Sequence, residues 1–419
     1  MNSDTSSKFY TLPITNSKHY LLLFLLWPFL ALITALANYS QKESRKVIYL
    51  FLIYFGLTFV VSKTFNDSVG YVMQFKINAA LPFSDFFKIV GGLYATDTSV
   101  DIVEPLISFI VSRFTDDHRI LFAVYAAVFG FFYLISINLV YNRYRENPGW
   151  NVAIHLAFFT ILIPITSING FRFWTAAWIF FYGAYHVILQ RDPRYLLITL
   201  GASMLHWSFL SANVVLVIYF FAGNRNVFYL PIALASFVLP QLLAPAFQSI
   251  SLLLGGGLQG RFENYTNEDY LIFRKESLEQ AAWFLKIGNQ LVFYYLLMAI
   301  IVIQLNSGYL MKEKAERNLF SFLLLFLSFV NFGKAIPSFG SRFQIVFFLF
   351  ATLYIILYFV KLPGKKVNLL TCFGLFPMIL YAVVTFRQVS DMINVWIFTP
   401  GLGLPLLVPD LSIADFLFH

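Results

Sequence analysis

The stretch SINGFRFW, Ser167 to Trp174, sets Asn169 and Arg172 inside sequence otherwise apolar enough to cross a bilayer; LHWSF, Leu205 to Phe209, does the same with His206. A guanidinium or imidazole in lipid costs several kcal/mol unless it lines a polar cavity, so ionisable groups at such positions are functional candidates by default. Working outward from them, the chain reads as a membrane scaffold around a cavity. Its 419 residues are 59% hydrophobic and only 12% charged, with mean hydropathy +0.72. Apolar runs of roughly 18 or more residues recur throughout, the length a helix needs to span a bilayer. The expected class is an all-α polytopic integral membrane protein of about 11–12 transmembrane helices, one transmembrane domain over residues 1–419.

The runs fall near 20–38, 47–62, 120–141, 151–167, 173–189, 195–222, 227–246, 287–306, 319–336, 343–360 and 367–386. The first lacks a small-residue cleavage site and reads as a retained anchor, not a signal peptide. The run at 195–222 is either one tilted helix or two half-helices meeting near His206. With the N-terminus outside and that run going in and coming back, six short loops face the cytoplasm: 39–46, 142–150, 190–194, 223–226, 307–318 and 361–366. They hold 14 of the 29 Lys and Arg residues, as the positive-inside rule asks. The net charge of +8 is then largely a topology signal and implies no nucleic-acid partner. Aromatic residues, including 50 Phe, are expected near headgroups. The single cysteine, Cys372, is expected in core packing and excludes an internal disulfide or a cysteine-based metal site.

Two polar segments, 63–118 and 247–286, are expected as outer-face loops. In the first, Phe83, Phe86, Phe87, Val90, Leu93 and Tyr94 recur at helical spacing opposite Ser84, Asp85 and Lys88, which reads as an amphipathic surface helix. A second helix is expected to open at Glu104 and Pro105. The second segment carries Gly255, Gly256, Gly257 and Gly260 before Arg261 and Tyr265, without a P-loop or dinucleotide fingerprint. A third outer turn, Asn331 to Arg342, includes Lys334, Pro337, Ser338 and Gly340; residues 387–419 have no assigned place.

Arg172, Arg261 and Arg342 therefore share the outer face with Asp67, Glu104 and His206. Guanidinium forks grip phosphate by paired hydrogen bonds, and a histidine accepts a proton from a hydroxyl near neutral pH. Each residue has an ordinary competitor. Arginines snorkel or pair with carboxylates, a glutamate suits any helix's first turn, and Asn169-Gly170 is a turn signal. His155 and His186 read as packing residues. No histidine spacing suits a metal, so no metal or cofactor is expected.

Asp67 after the second span, Glu104-Pro105 opening a helix, Asn169-x-x-Arg172 entering a span, the basic turn Arg191 to Arg194, and His206-x-Ser208 together resemble the EpsG-like family of Wzy-type polysaccharide polymerases. Arg261 and Arg342 also fall where such proteins carry outward basic residues, so the resemblance covers about 60–345. It departs at Phe173, where the family commonly has Gln, and around Asp67, flanked here by Asn66 and Ser68. The resemblance implies a GT-C-like, lipid-carrier-dependent glycosyltransferase of the bacterial inner membrane with its site on the periplasmic side. It would pass a growing glycan from undecaprenyl diphosphate to a sugar hydroxyl of a fresh lipid-linked repeat. Arg172, His206, Glu104 and Asp67 would be catalytic, and Asn169, Arg261, Arg342, Tyr265 and Ser208 would bind substrate. Partners would be the lipid-linked donor and acceptor, membrane lipid and, as an open addition, a chain-length regulator. A flippase or transporter of lipid-linked saccharide is the other class to weigh, and lacks an internal hydropathy repeat here; an O-antigen ligase and a membrane acyltransferase are further alternatives.

Overall fold

The computed structural model describes residues 17–62, 66–85, 101–146, 148–239, 272, 276, 283–306, 313–361 and 365–418. Regular structure among them is helical, apart from one isolated bridge between Asn394 and Ser412. Helices satisfy their own backbone polar groups, which lipid demands. In chain order they are α1 (Ser17–Leu26), α2 (Pro28–Ala37), α3 (Lys42–Leu57), α4 (Asp67–Ala80), α5 (Val103–Val111), α6 (His118–Tyr144), α7 (Trp150–Leu162), α8 (Phe171–Tyr185), α9 (Tyr195–Leu205), α10 (Phe209–Ala222), α11 (Asn226–Ala235), α12 (Trp283–Asn306), α13 (Lys314–Gly333), α14 (Pro337–Lys361), α15 (Lys365–Val389), α16 (Leu404–Leu407) and α17 (Ile413–Phe418). A 3₁₀ turn, Ile165–Gly170, joins α7 to α8, and a π turn, His186–Gln190, ends α8.

Six segments among the described residues are long and apolar enough to cross a membrane: 118–144, 150–190, 287–306, 314–333, 338–361 and 367–389. The chain is thus a multi-pass, all-α membrane protein, but several of the apolar runs form pairs of short helices. Residues 150–190 fold back on themselves: Phe159 of α7 lies 5.7 Å from Trp178 and 5.2 Å from Phe181 of α8, centroid to centroid. The 195–222 run does likewise. Asn213 of α10 donates to Thr199 O at 2.8 Å and to Ser203 Oγ at 2.9 Å of α9, so the two half-helices lie antiparallel with His206 at their tip. Gly183 admits this hairpin to α8, since a Cβ there would stand 2.5 Å from Thr199 Cγ2 and 3.0 Å from Tyr195 O.

The run at 20–38 departs from the expected single crossing. Tyr20 Oη accepts from Ser44 Oγ at 3.1 Å beside the start of α3, whereas Leu26 O accepts from Gly401 N at 2.7 Å and Trp27 Nε1 donates to Phe398 O at 2.9 Å at the far end. The chain then returns through α2, so residues near 20 and near 38 share one end and the expected outside N-terminal start does not hold for the described residues. Pro28 is the cause: the residue before a proline is pushed from helical geometry, and Trp27 sits at φ −154°, ψ 89°.

The basic loops do gather at one end. Tyr39 meets Tyr141 at 4.6 Å, Asn151 donates to Asn368, Asn224 to Asn318, Asn318 to Ile188 O and Arg191 to Phe220 O, while Lys361 pairs with Glu313 and Glu316. Residues 391–412 close the opposite end. Ser62 donates to Asp391 at 3.1 Å, Tyr54 to Leu402 O at 2.9 Å, and Arg119 pairs with Asp410 at 3.3 Å.

One continuous apolar core runs from Tyr20 to Ile397. Many of its phenylalanines are wholly buried, Phe129, Phe171, Phe180 and Phe181 among them, and not only at the expected headgroup level. Between helices in lipid, dispersion packing replaces the hydrophobic drive, and large flat rings supply it. Cys372, expected in the core, is exposed; it lies on the α15 stripe of Leu369, Phe373, Phe376, Ile379 and Val383, whose exposure is that of a lipid-facing surface.

Candidate functional site

The end opposite the basic loops holds the described candidates. Asn66 caps α4, accepting from the backbone N–H groups of Ser68 and Val69 at 3.1 and 3.4 Å, which fixes Asp67 in the first turn of a helix within the segment 63–118 expected as an outer-face loop. The helix expected to open at Glu104 and Pro105 opens one residue earlier, at Val103. Gly170 ends the 3₁₀ turn and α8 begins at Phe171, so Arg172 stands in the first turn of α8. At the tip of the α9–α10 hairpin, His206 adopts an extended conformation, φ −148°, ψ 113°. Arg342, expected in the outer turn Asn331 to Arg342, lies instead in α14, which begins at Pro337. Arg261, Tyr265, the glycine-rich stretch and most of the expected amphipathic surface helix lie outside the described residues.

Asp101, which the sequence reading did not single out, binds these pieces together. Its wholly buried carboxylate accepts from Arg172 Nη1 at 3.1 Å through Oδ2 and from the Trp207 backbone N–H at 2.9 Å through Oδ1, while Ile102 N donates to Met204 O. One side chain thus joins the start of α8 to the tip that carries His206. Its sequence signal was slight: an acidic residue three positions before Glu104 in an otherwise polar loop.

Glu104 is 5% exposed and accepts from Tyr125 Oη at 2.6 Å. Burial raises its carboxyl above the ordinary range, against the opposing pull of the Tyr125 hydrogen bond and the Arg172 charge. Tyr125 stacks on Phe171 with centroids 4.1 Å apart, and Tyr71 packs edge-on to Tyr125. The Arg172 guanidinium lies 5.7 Å from the Tyr71 ring centroid. Burial likewise raises the Tyr71 phenol, with Arg172 pulling it down.

His206 is 9% exposed. Its Nδ1 lies 2.7 Å from Ser208 Oγ and receives the Ser208 backbone N–H at 3.4 Å; a backbone donor there makes Nδ1 the acceptor, which assigns the ring hydrogen to Nε2. The buried Phe173 ring lies against both His206, 5.2 Å away between centroids, and Arg342, whose guanidinium carbon is 5.4 Å from the same centroid. Arg342 in turn faces Asp67 at 4.0 Å, a loose pair with both side chains at least a third exposed. The expected outward arginines therefore do not form one open cluster among the described residues: Arg172 and Arg342 each face a carboxylate of their own.

Asp67, Asn169 and Arg342 line a cavity of about 330 Å³, together with Trp174 and residues from α12 and the end of α15. Arg172, Glu104 and His206 are not part of its wall. His155 is a packing residue as expected, with Nδ1 at 2.8 Å from Asn151 O and Nε2 at 2.7 Å from Tyr295 Oη. Among the described residues no group of three or more His, Cys, Asp or Glu side chains is arranged to hold a metal ion.

No curated protein and no solved structure matches the chain. The profile of the EpsG family matches residues 66–398, which takes in every described site residue and most of the chain, and the protein belongs to that family of Wzy-type polysaccharide polymerase-like proteins.

Proposed function

We propose that the protein joins undecaprenyl-diphosphate-linked oligosaccharide repeats on the periplasmic face of the bacterial inner membrane. The observation that carries this reading is Asp101: by holding the Arg172 guanidinium and the His206 tip on one carboxylate, it sets a fixed cation beside a Ser–His pair at one end of the bundle. In the reaction, an acceptor sugar hydroxyl attacks the anomeric carbon of the growing chain. The new C–O bond forms as the bond from that carbon to the diphosphate oxygen breaks, and the lipid diphosphate leaves with the electron pair.

Each step has a group suited to it. Arg172, held rigid by Asp101, supplies positive charge where the diphosphate gains negative charge, and preorganised charge of this kind is the largest lever on such a step. Arg261 is the second cation for that group, whereas Arg342, paired with Asp67 at 4.0 Å, stands with the saccharide contacts. Ser208 relays the proton: its Oγ takes the acceptor's hydrogen as its own passes to His206 Nδ1, across the 2.7 Å contact. Glu104 and Asp67 are the substitute proton acceptors. Lipid tails rest along the exposed apolar stripe of α15, and Asn169 and Tyr265 contact saccharide. No metal or cofactor is required by this scheme.

The test is to incubate purified protein in lipid with the host's lipid-diphosphate-linked repeat and resolve products by size. A ladder is expected from wild type and not from Arg172→Ala. Ser208→Ala, if folded, should slow single turnover about 100-fold or more, the low end for a lost general-base path. Protein-dependent movement of the lipid across a vesicle without a ladder would replace this reading with a flippase.

A further inference from the structure

The cavity of about 330 Å³ has a wall unlike a diphosphate site. Its described lining carries one cation, Arg342, and that cation already faces Asp67. Its other polar groups are amide, hydroxyl and indole, set among apolar side chains such as Leu162, Ile345 and Met392: Asn169 on the 3₁₀ turn, Trp174 in the first turns of α8, Asn289 on α12, and Thr385 and Gln388 at the end of α15. Amides both donate and accept, as the hydroxyls of a sugar do. An indole face covers the apolar C–H side of a pyranose ring, giving area with little conformational cost.

Two observations show a site built for a ligand. Among the described residues the Asn169 Oδ1 is buried with no hydrogen-bond partner, an acceptor whose desolvation goes uncompensated until a donor arrives. The indole is also held in place. A Cβ on Gly170 would stand 3.0 Å from Trp174 Cδ1 and 3.1 Å from Nε1, so the absence of a side chain at 170 is what lets the ring lie against the turn. The cavity volume is at the small end of ligand sites, which run about 300–1,000 Å³; it suits one or two sugar rings, not a whole repeat with its carrier.

We propose that this cavity is a short saccharide subsite, taking one or two uncharged pyranose rings stacked on Trp174 and hydrogen-bonded to Asn169 and Gln388, and that it seats the end of the acceptor repeat. The subsite rests on the polymerase reading for its acceptor role, but its affinity for sugar stands apart from that reading. Neutralisation of Arg342 by Asp67 keeps the subsite selective for glycan over free phosphate.

The experiment measures binding of the repeat oligosaccharide, released from its carrier by mild acid, to purified protein in lipid, with inorganic pyrophosphate as the control probe. Trp174→Ala is expected to weaken oligosaccharide binding at least tenfold, Trp174→Phe by less than threefold, and neither to change pyrophosphate binding. Gln388→Ala, at the exposed rim, should weaken it several-fold with an unchanged melting curve, which separates ligand contact from folding. If Gln388→Ala and a folded Trp174→Ala bind the oligosaccharide as wild type does, the subsite is overturned. It is equally overturned if pyrophosphate competes with the sugar for the same site. Tryptophan-dependent sugar binding by a protein that forms no ladder would support the subsite and sink the polymerase reading. A ladder with unchanged acceptor KM in both variants would do the reverse.

Discussion

Asp101 does more at this site than any residue the sequence singled out. A carboxylate with no exposure, bonded to a guanidinium and a backbone N–H, is stable only while both partners remain. Asp101→Ala should cost about 2–3 kcal/mol in detergent unfolding, below the usual range for breaking a buried pair because Arg172 keeps about a quarter of its exposure. Asp101→Asn, which keeps an acceptor for the Trp207 amide, should recover part of that stability and none of the activity. Glu104 gives a prediction of opposite kind. Its folded carboxyl titrates above the usual 4.5, so the stability it contributes is full below that value and lost as pH rises through the folded one. Glu104→Gln escapes the loss and keeps an oxygen for Tyr125. Its melting midpoint relative to wild type should therefore climb as pH rises above 4.5; a pH-independent difference would remove burial as the cause.

Hairpins of short helices are the devices that carry ionisable side chains into the bundle. α9 and α10, with 11 and 14 residues, span about 17 and 21 Å at 1.5 Å per residue, too little to cross alone. Paired by Asn213, they deliver His206 at the tip, with the hairpin's ends beside Arg191. The α8–α9 contact depends on Gly183. Gly183→Ala should lower the melting temperature by several degrees, and Thr199→Ser in the same chain should restore part of it by removing the Cγ2 that the new methyl meets. No recovery in the double variant would place the strain on the Tyr195 carbonyl instead.

At the scale of the whole molecule, the ends of the bundle differ in charge and contents. In a Cys372→Ser background, cysteines at Arg194 and Arg225 should react with an impermeant thiol reagent from one side of the membrane and a cysteine at Asp116 from the other. Lys18→Cys should label with the first pair, because the α1–α2 hairpin returns the chain to its starting end. Labelling of Lys18→Cys with Asp116→Cys would restore a single crossing at 20–38. A chelator should leave polymerisation unchanged, and inhibition reversed by one divalent ion would overturn the metal-free scheme.

The sequence by itself determined the class: apolar runs of spanning length leave a chain in lipid no stable form but the helix, and the clustering of Lys and Arg already sorted its loops to one end. It also marked Arg172 and His206, because charge in an apolar run is costly and therefore visible in a one-dimensional reading. Only the tertiary structure decided the rest. Whether a run crosses or turns back is set by single residues such as Pro28 and by neighbours such as Asn213, and average hydropathy is blind to both. Asp67, Asn169 and Arg342 stood out in the sequence, but Asp101 and Gln388 were illegible because their meaning is contact across 71 residues or more of chain, from Arg172 to Asp101 and from Asn169 to Gln388. In a loop or at a helix end, such residues look like ordinary polar surface until packing buries them.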